Sequence, residues 1–239
     1  MKVINYLLGY KNLKIVQDNE MFNFSLDSVL LPNFVTINKN IDKILDIGCG
    51  NAPIPLILST RTNAEITGVE IQEESYKLAE ETVKINKKEH QIKLVNEDIN
   101  EYYNKIETDT FDVITCNPPF FKYIETSKIN RNEYKTIARH EVKLNLVQLF
   151  NIAKKLLKNN GVIAIVHRPE RFVEIIEEMK KNNIEPKKVQ FIYPNKDQQA
   201  NIVLIEGSKN GNPGLKILPP IYTHLENGEY TDEVKKYFE

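Results

Sequence analysis

Ile44-Leu45-Asp46-Ile47-Gly48-Cys49-Gly50-Asn51 joins a short apolar run to an acid and a Gly-x-Gly turn. The run reads as a buried strand. Glycines at a strand-to-helix turn let the backbone approach a ligand where a Cβ would collide. Pro53 stands where the dinucleotide fingerprint Gly-x-Gly-x-x-Gly has its third glycine, so this motif alone is incomplete. Reading outward, the run Ala64-Glu65-Ile66-Thr67-Gly68-Val69 ends in Glu70, 24 positions after Asp46. An acid at the end of a second strand can accept from both hydroxyls of a ribose. A third run, 91–96, leads to Asp98, placed either to accept from an adenine amine or to cap a helix. A fourth run, Phe111-Asp112-Val113-Ile114-Thr115-Cys116, ends in Asn117-Pro118-Pro119-Phe120.

That tetrad offers a side-chain amide oxygen, a rigid turn and a flat ring at one point, which suits holding a planar, NH2-bearing group such as a nucleobase. Two prolines also stop a strand by themselves, since neither can donate to the ladder. The order of the features carries more weight than any one of them: glycine loop, acid, acid and tetrad, each at the carboxyl end of a successive strand.

The series resembles the S-adenosylmethionine-dependent methyltransferases of the Rossmann-like class. The tetrad resembles the branch that methylates amino groups conjugated to a planar system. The segments Phe24-Ser25-Leu26-Asp27-Ser28-Val29-Leu30-Leu31, Ala138-Arg139-His140-Glu141, His167-Arg168-Pro169-Glu170-Arg171 and 207–220 are similar to the bacterial tRNA1(Val) (adenine-37-N6)-methyltransferase family, so the likeness runs from Phe24 to Pro220. The resemblance implies an α/β, Rossmann-like class I methyltransferase fold: a seven-stranded, mostly parallel sheet with an antiparallel C-terminal hairpin and helices on both faces. It implies S-adenosyl-L-methionine as cofactor, held by Asp46, Gly48, Gly50, Glu70, Ile71, Asp98, Ile99 and Asn117. It also implies catalysis by Asn117, Pro118 and Phe120 on N6 of adenine 37 in the anticodon loop of valine tRNA. Guanine N2 in rRNA and a protein glutamine are alternative acceptors that share the tetrad. A dinucleotide-binding dehydrogenase would leave the tetrad unexplained, and a non-catalytic RNA-binding protein would have no use for the intact acids and glycines.

The chain of 239 residues carries a net charge of −1, so global basicity does not announce nucleic acid. Its distribution is more telling. Residues 65–112 hold 13 acids against six lysines, whereas 122–143 hold six Lys/Arg against three acids and 154–216 twelve against seven. The cofactor side is acidic and the segments around the proposed base pocket are basic, enough for a transient RNA substrate. Arginine is scarce, with five residues against 27 lysines, and four of the five follow the fourth or fifth strand. Arginine offers phosphate a planar fork that lysine cannot reproduce. Lys122, Arg131, Arg139, His140, Arg168 and Arg171 are therefore the expected RNA contacts, with ion pairing to Glu170 or Glu174 the plainer role for Arg171. Cys49 and Cys116 follow strands expected to be neighbours and read as small packing residues. They suggest neither a disulfide framework nor a metal site. The absence of a long apolar run or signal-peptide pattern leads to the expectation of a cytoplasmic protein without a membrane partner, most simply a monomer.

Strand-like and helix-like runs alternate between residues 43 and 206. The expected order is strand 43–48, helix 53–60, strand 65–70, helix 72–87, strand 91–96 and strand 111–116, then helix 145–158, strand 161–167, helix 169–182, strand 186–193 and strand 199–206. Pro194-Asn195-Lys196-Asp197 should turn the last two strands into a hairpin. In helix 72–87, Leu78, Ala79, Thr82, Val83 and Asn86 share one face. Three units are expected. Residues 1–40 form a strand or hairpin and then a helix near 27–36, capped by Ser25 or Asp27, that closes over the cofactor. Residues 41–206 form the methyltransferase domain, and 207–239 a tail packed on or near it. The stretch 117–144 is too long for a simple connection and reads as a mobile substrate-binding lid.

Overall fold

The structure is a computed structural model that describes residues 2–7, 10–18, 25–118 and 144–236. Ile44, Leu45 and Ile47 lie in β3 (Lys43–Ile47) and are at most 1% exposed. A parallel strand needs cover on both faces, and its apolar run supplies the packing for both. Around β3 the sheet adds β4 (Glu65–Glu70) and β5 (Ile92–Asn96) on one side, and β6 (Phe111–Cys116) and β7 (Leu157–His167) on the other. These five strands are parallel. β8 (Ile184–Tyr193) and β9 (Ile202–Lys209) form the expected antiparallel hairpin, with β9 inserted between β7 and β8. Two short strands, β10 (Lys216–Ile217) and β11 (Ile221–Tyr222), line the outer edge of β8, so residues beyond Lys209 return to the sheet. The seven-stranded Rossmann-like expectation holds, with these two edge additions.

Two apolar layers cover the sheet. One contains α1 (Asp27–Phe34), α2 (Pro53–Arg61) and α3 (Glu73–Ile85). The other contains α4 (Ile99–Lys105), α5 (Leu146–Leu156) and α6 (Phe172–Lys181). Leu78, Ala79, Thr82 and Val83 are the buried face of α3, as their spacing requires. The N-terminal hairpin, β1 (Lys2–Leu7) with β2 (Tyr10–Asp18), docks against that helix through polar bonds. Thr82 Oγ1 accepts from Val16 N at 3.0 Å. Asn86 exchanges two bonds with the Lys14 backbone. Asn51 Nδ2 donates to Val16 O at 2.7 Å, tying the same strand to the glycine loop.

Several expected boundaries shift for local reasons. Helix 145–158 is α5, opened by an Asn145/Gln148 capping box and ended at Leu156. β7 begins directly at Leu157, four residues earlier than expected. A bulge between Phe111 and Val113, with Asn160 at φ 62°, absorbs the polar Lys158-Asn159-Asn160 stretch. Helix 169–182 opens as a 3-10 turn, Pro169–Arg171, before α6. Strand 199–206 becomes Ile202–Lys209, and α4 fills the supposed connection between β5 and β6. Neither Ser25 nor Asp27 caps α1: its N-cap position is Leu26 without a side-chain bond, and Ser25 Oγ donates instead to Asp27 Oδ2 at 3.0 Å.

Candidate functional site

The chain runs outward from β3 through β4 to β5, then returns to the other side of β3 as β6. The reversal places a crevice between β3 and β6, outside their carboxyl ends, where open α/β sheets bind ligands. Ile47 pairs with Cys116, so Gly48 and Asn117 leave the sheet side by side.

The glycine loop is shaped by its backbone. Gly48 and Gly50 have φ values of 70° and 55°, in the left-handed region that disfavours side chains. A Cβ built on either would meet no described atom within 4 Å, so among the described residues both glycines border open space. Gly48 N and Cys49 N donate to Val69 O at 2.9 and 3.1 Å, tying the turn to the end of β4. Glu70, 5% exposed, closes the arrangement: Oε2 accepts from Gly50 N and Oε1 from Gln72 N, both at 2.8 Å. A carboxylate has about four lone-pair sites, so both oxygens keep capacity for ligand hydroxyls. Burial raises the Glu70 pKa, with the backbone N–H groups of Gln72, Gly50 and Ile71 opposing the rise.

Asp46 lies fully buried behind the loop. Its Oδ1 accepts from Thr115 Oγ1 at 2.6 Å, across the register pair Asp46–Thr115, and its Oδ2 has no hydrogen-bond partner among the described residues. Desolvation pushes its carboxyl up to about 8; the Thr115 bond opposes this and the Glu70 charge adds to it. In the unfolded chain the group ionises near its ordinary 3.8. Between these values the folded protein binds a proton that the unfolded chain does not, so stability is lost as pH rises. Glu70 and Asp27, both raised by burial, slope the same way. Urea unfolding of the ligand-free protein should therefore give a lower free energy at about pH 8 than at about pH 5.5, and Asp46→Asn should flatten the difference. Stability unchanged or rising across this window in the wild type would contradict the burial of a protonated Asp46.

Asp98 caps α4, its Oδ1 accepting from Asn100 N and Nδ2 at 2.9 Å each. Ile71 follows Glu70 directly, and Ile99, 6% exposed, begins the capped helix. Asn96 Nδ2 donates to Glu70 O at 2.8 Å, bracing the ends of β4 and β5 against each other.

Asn117 is half-buried and Pro118 buried at the end of β6. Strand alternation puts Asn117 on the same face as Val113 and Thr115, toward α1. There its Nδ2 donates to Ser28 Oγ at 3.5 Å. Arg168 also lies on this carboxyl edge; its NH1 donates to Asn201 O at 2.8 Å, and its charge acts on Asp27. Next to it, His167 is fully buried, and its Nδ1 accepts from Arg168 N at 2.7 Å. Burial, with the Arg171 charge, lowers its pKa to about 4, so the ring is neutral at pH 7. Arg171 forks onto Glu174, Nε to Oε2 at 2.7 Å and NH2 to Oε1 at 2.8 Å, the ion pair that its sequence neighbours suggested. Phe120, Lys122, Arg131, Arg139 and His140, and the lid expected over 117–144 apart from its ends, lie outside the described residues.

The site thus gathers Asp46, Gly48, Gly50, Glu70 and Asn117 around one crevice, with Asp98 at its β5 side. Sequence reading missed three supports: Thr115 beneath Asp46, the Gln72 backbone on Glu70, and Ser28 against Asn117. Thr115 carried a usable signal, since it lies two residues before Asn117 and must share its face. Among the described residues, no group of three or more His, Cys, Asp or Glu side chains could hold a metal ion. Nor is any helix among them long and apolar enough to cross a membrane.

Known proteins repeat this architecture. The chain is similar to the tRNA1(Val) (adenine(37)-N6)-methyltransferase of Flavobacterium psychrophilum, with 27% identity covering 97% of this chain and 99% of that protein. It is similar to the protein of the same name from Trichodesmium erythraeum, with 29% identity covering 95% and 90%. Among solved structures, a predicted O-methyltransferase from Agrobacterium tumefaciens superposes with a TM-score of 0.69 at 17% identity, covering 89% of this chain and 95% of that one. TYW2 of P. horikoshii in complex with MeSAdo gives a TM-score of 0.61 at 14% identity, covering 88% and 72%. Such low identities show the shared fold. The family model described as a methyltransferase domain matches residues 38–216, the span from the approach to β3 through β10, and the chain belongs to that family.

Proposed function

We propose that this protein transfers a methyl group from S-adenosyl-L-methionine to the exocyclic N6 amine of an adenine in tRNA, adenine 37 of valine tRNA, in the cytoplasm. The observation that carries the reading is the juxtaposition of Asn117-Pro118 with the glycine loop at one crevice. The named activity of relatives aligned over nearly the whole chain supplies the acceptor.

The crevice residues fit the cofactor. Open space over Gly48 and Gly50 admits its chain. The spare lone pairs of Glu70 suit ribose hydroxyls, and Asp46 Oδ2, unpartnered among the described residues, suits a cationic donor whose charge would draw the proton off the buried carboxyl. Asp98, Ile71 and Ile99 are assigned to the adenine side. The cofactor supplies an electrophilic methyl on a sulfonium. The remaining task is to aim a lone pair at it, because adenine N6 is a poor nucleophile while its lone pair is delocalised into the ring. Asn117 Oδ1 and the Pro118 carbonyl are assigned to accept the two N6–H bonds, letting the nitrogen move toward tetrahedral geometry. Held so, the N6 lone pair would point at the methyl that the cofactor supplies, and one N6 proton would pass to solvent once transfer is complete. No strong base is needed. Phe120 is assigned to stack on the base and hold it in line, an orientation effect.

Glu70→Ala should weaken S-adenosylmethionine binding by about 1.5–3 kcal/mol, the range for lost charge-assisted hydrogen bonds. Glu70→Gln should lose less, because it keeps an acceptor for the loop. Calorimetry showing unchanged affinity for Glu70→Ala would remove this residue from the site.

Lys122, Arg131, Arg139, His140 and Arg168 are assigned to the RNA; Arg171, expected among them, instead directs its fork to Glu174. Phosphate contacts release counterions, so tRNA affinity should fall steeply with salt. Arg131→Ala combined with Arg139→Ala should lower tRNA affinity and flatten the salt slope, while cofactor affinity stays unchanged. Filter binding to unmodified valine tRNA across a salt series, alongside transfer of labelled methyl to the same RNA, tests the assignment. Wild-type protein that methylates a protein glutamine or rRNA but leaves this tRNA unmodified would overturn the substrate.

A further inference from the structure

Asn117 can serve as an acceptor only if its amide faces the right way. An asparagine carries an acceptor oxygen and a donor nitrogen that differ little in shape. Turned over, the amide would present N–H groups to the N–H groups of the target amine, a donor facing a donor. The side chain must therefore be held with its oxygen end outward. A serine hydroxyl both donates and accepts, so it anchors whichever end of the amide reaches it; here that end is Nδ2. The only side chain bonded to Asn117 among the described residues is Ser28, whose Oγ accepts from Nδ2 at 3.5 Å. Catalytic bonds are often long before the reacting complex forms and tighten in it.

Ser28 is well placed for this role. It is 6% exposed, in the first turn of α1, and its own N–H is held by Ser25 O at 3.0 Å. The far end of α1 is fixed to the sheet. Glu206 accepts from Thr36 N at 2.6 Å and Thr36 Oγ1 at 2.7 Å, Lys188 donates to Phe34 O at 2.6 Å, and Arg61 donates to the carbonyls of Pro32 and Val35. The hydroxyl thus stands on a helix pinned to the same sheet that carries Asn117.

We infer that Ser28 is a positioning residue: its hydroxyl oxygen holds the Asn117 amide nitrogen, so that Oδ1 is the atom presented to the target amine. The inference rests on Asn117 being the acceptor in methyl transfer. Ser28→Ala removes that anchor and leaves the amide free to move off the reacting geometry. Single-turnover rates at saturating tRNA and cofactor should fall about tenfold, the worth of one oriented hydrogen bond. KM for tRNA, calorimetric cofactor affinity and urea stability should stay within about twofold or its equivalent. Ser28→Thr, which keeps a hydroxyl, should recover most of the rate.

A double-mutant cycle separates positioning from general damage. With Asn117→Ala already in place, adding Ser28→Ala should cost nothing further. Ser28→Ala with wild-type rate, or with a loss that multiplies fully onto that of Asn117→Ala, would overturn the positioning role while leaving Asn117 catalytic. Loss of cofactor binding in both Ser28→Ala and Ser28→Thr would also overturn it, in favour of a packing role. If Asn117→Ala itself keeps the wild-type rate, the underlying acceptor assignment fails and the inference falls with it.

Discussion

Asn117→Ala is expected to bind S-adenosylmethionine with near wild-type affinity and to lose at least about 100-fold in methyl-transfer rate, the scale for removing one fixed group that stabilises developing charge. The reasoning is geometric. Asn117 leaves β6 at the level where Gly48 leaves β3, yet the loop is secured by Val69 O and Glu70 without it. The substitution should therefore spare the cofactor side and remove an acceptor that matters only once the amine begins to acquire positive charge. Single-turnover kinetics with calorimetry on the same preparation would separate these effects. A rate within about threefold of wild type would make the Asn-Pro-Pro-Phe turn structural, because a lost transition-state contact must appear in the chemical step.

Glu206→Ala is expected to have the largest effect on stability. Glu206 is 4% exposed in the interior strand β9, where it takes Thr36 N, Thr36 Oγ1 and, at 3.3 Å, Lys188 Nζ. Removing one partner of a buried charged pair strands the other, at a cost of about 3 kcal/mol. Thr36, two residues beyond the end of α1, would also lose the anchor for its backbone N–H. Glu206→Gln retains an oxygen acceptor and should lose less. Urea denaturation of both variants checks this ordering. A loss below about 1 kcal/mol for Glu206→Ala would mean that Lys188 and Thr36 are adequately satisfied without it.

Strand order up to β6 was legible because buried parallel strands leave unbroken apolar runs, and each run ended in a residue with evident chemistry. The insertion of β9 between β7 and β8 was not legible from the hairpin turn, which fixes that the two strands pair but not which of them meets β7. α4 escaped notice because it spans only Ile99–Lys105 and buries Ile99 alone, too little for an apolar period to register. Its cap was visible: Asp98 was read as a cap or an adenine acceptor, and Oδ1 does cap the helix, which leaves Oδ2 for the adenine role proposed above. The start of β7 was obscured by Lys158-Asn159-Asn160, a polar stretch that resembles a loop until its bulge against β6 is seen. At the site, Asp46, Glu70 and Asn117 stood out because each ends a strand. Their supports did not: Thr115, Gln72 and Ser28 act through register, backbone and an approach between α1 and β6 across 89 positions of sequence. The Thr115 and Ser28 contacts span 69 and 89 positions and exist only once the sheet has formed.

Methylation of adenine N6 in tRNA by this crevice is tested by nucleoside mass spectrometry of unmodified valine tRNA incubated with the purified protein and S-adenosylmethionine. N6-methyladenosine is expected, mapped to position 37 and absent when the protein is Asn117→Ala. Methylated guanosine in its place, or valine tRNA left unmodified by active protein, would contradict it.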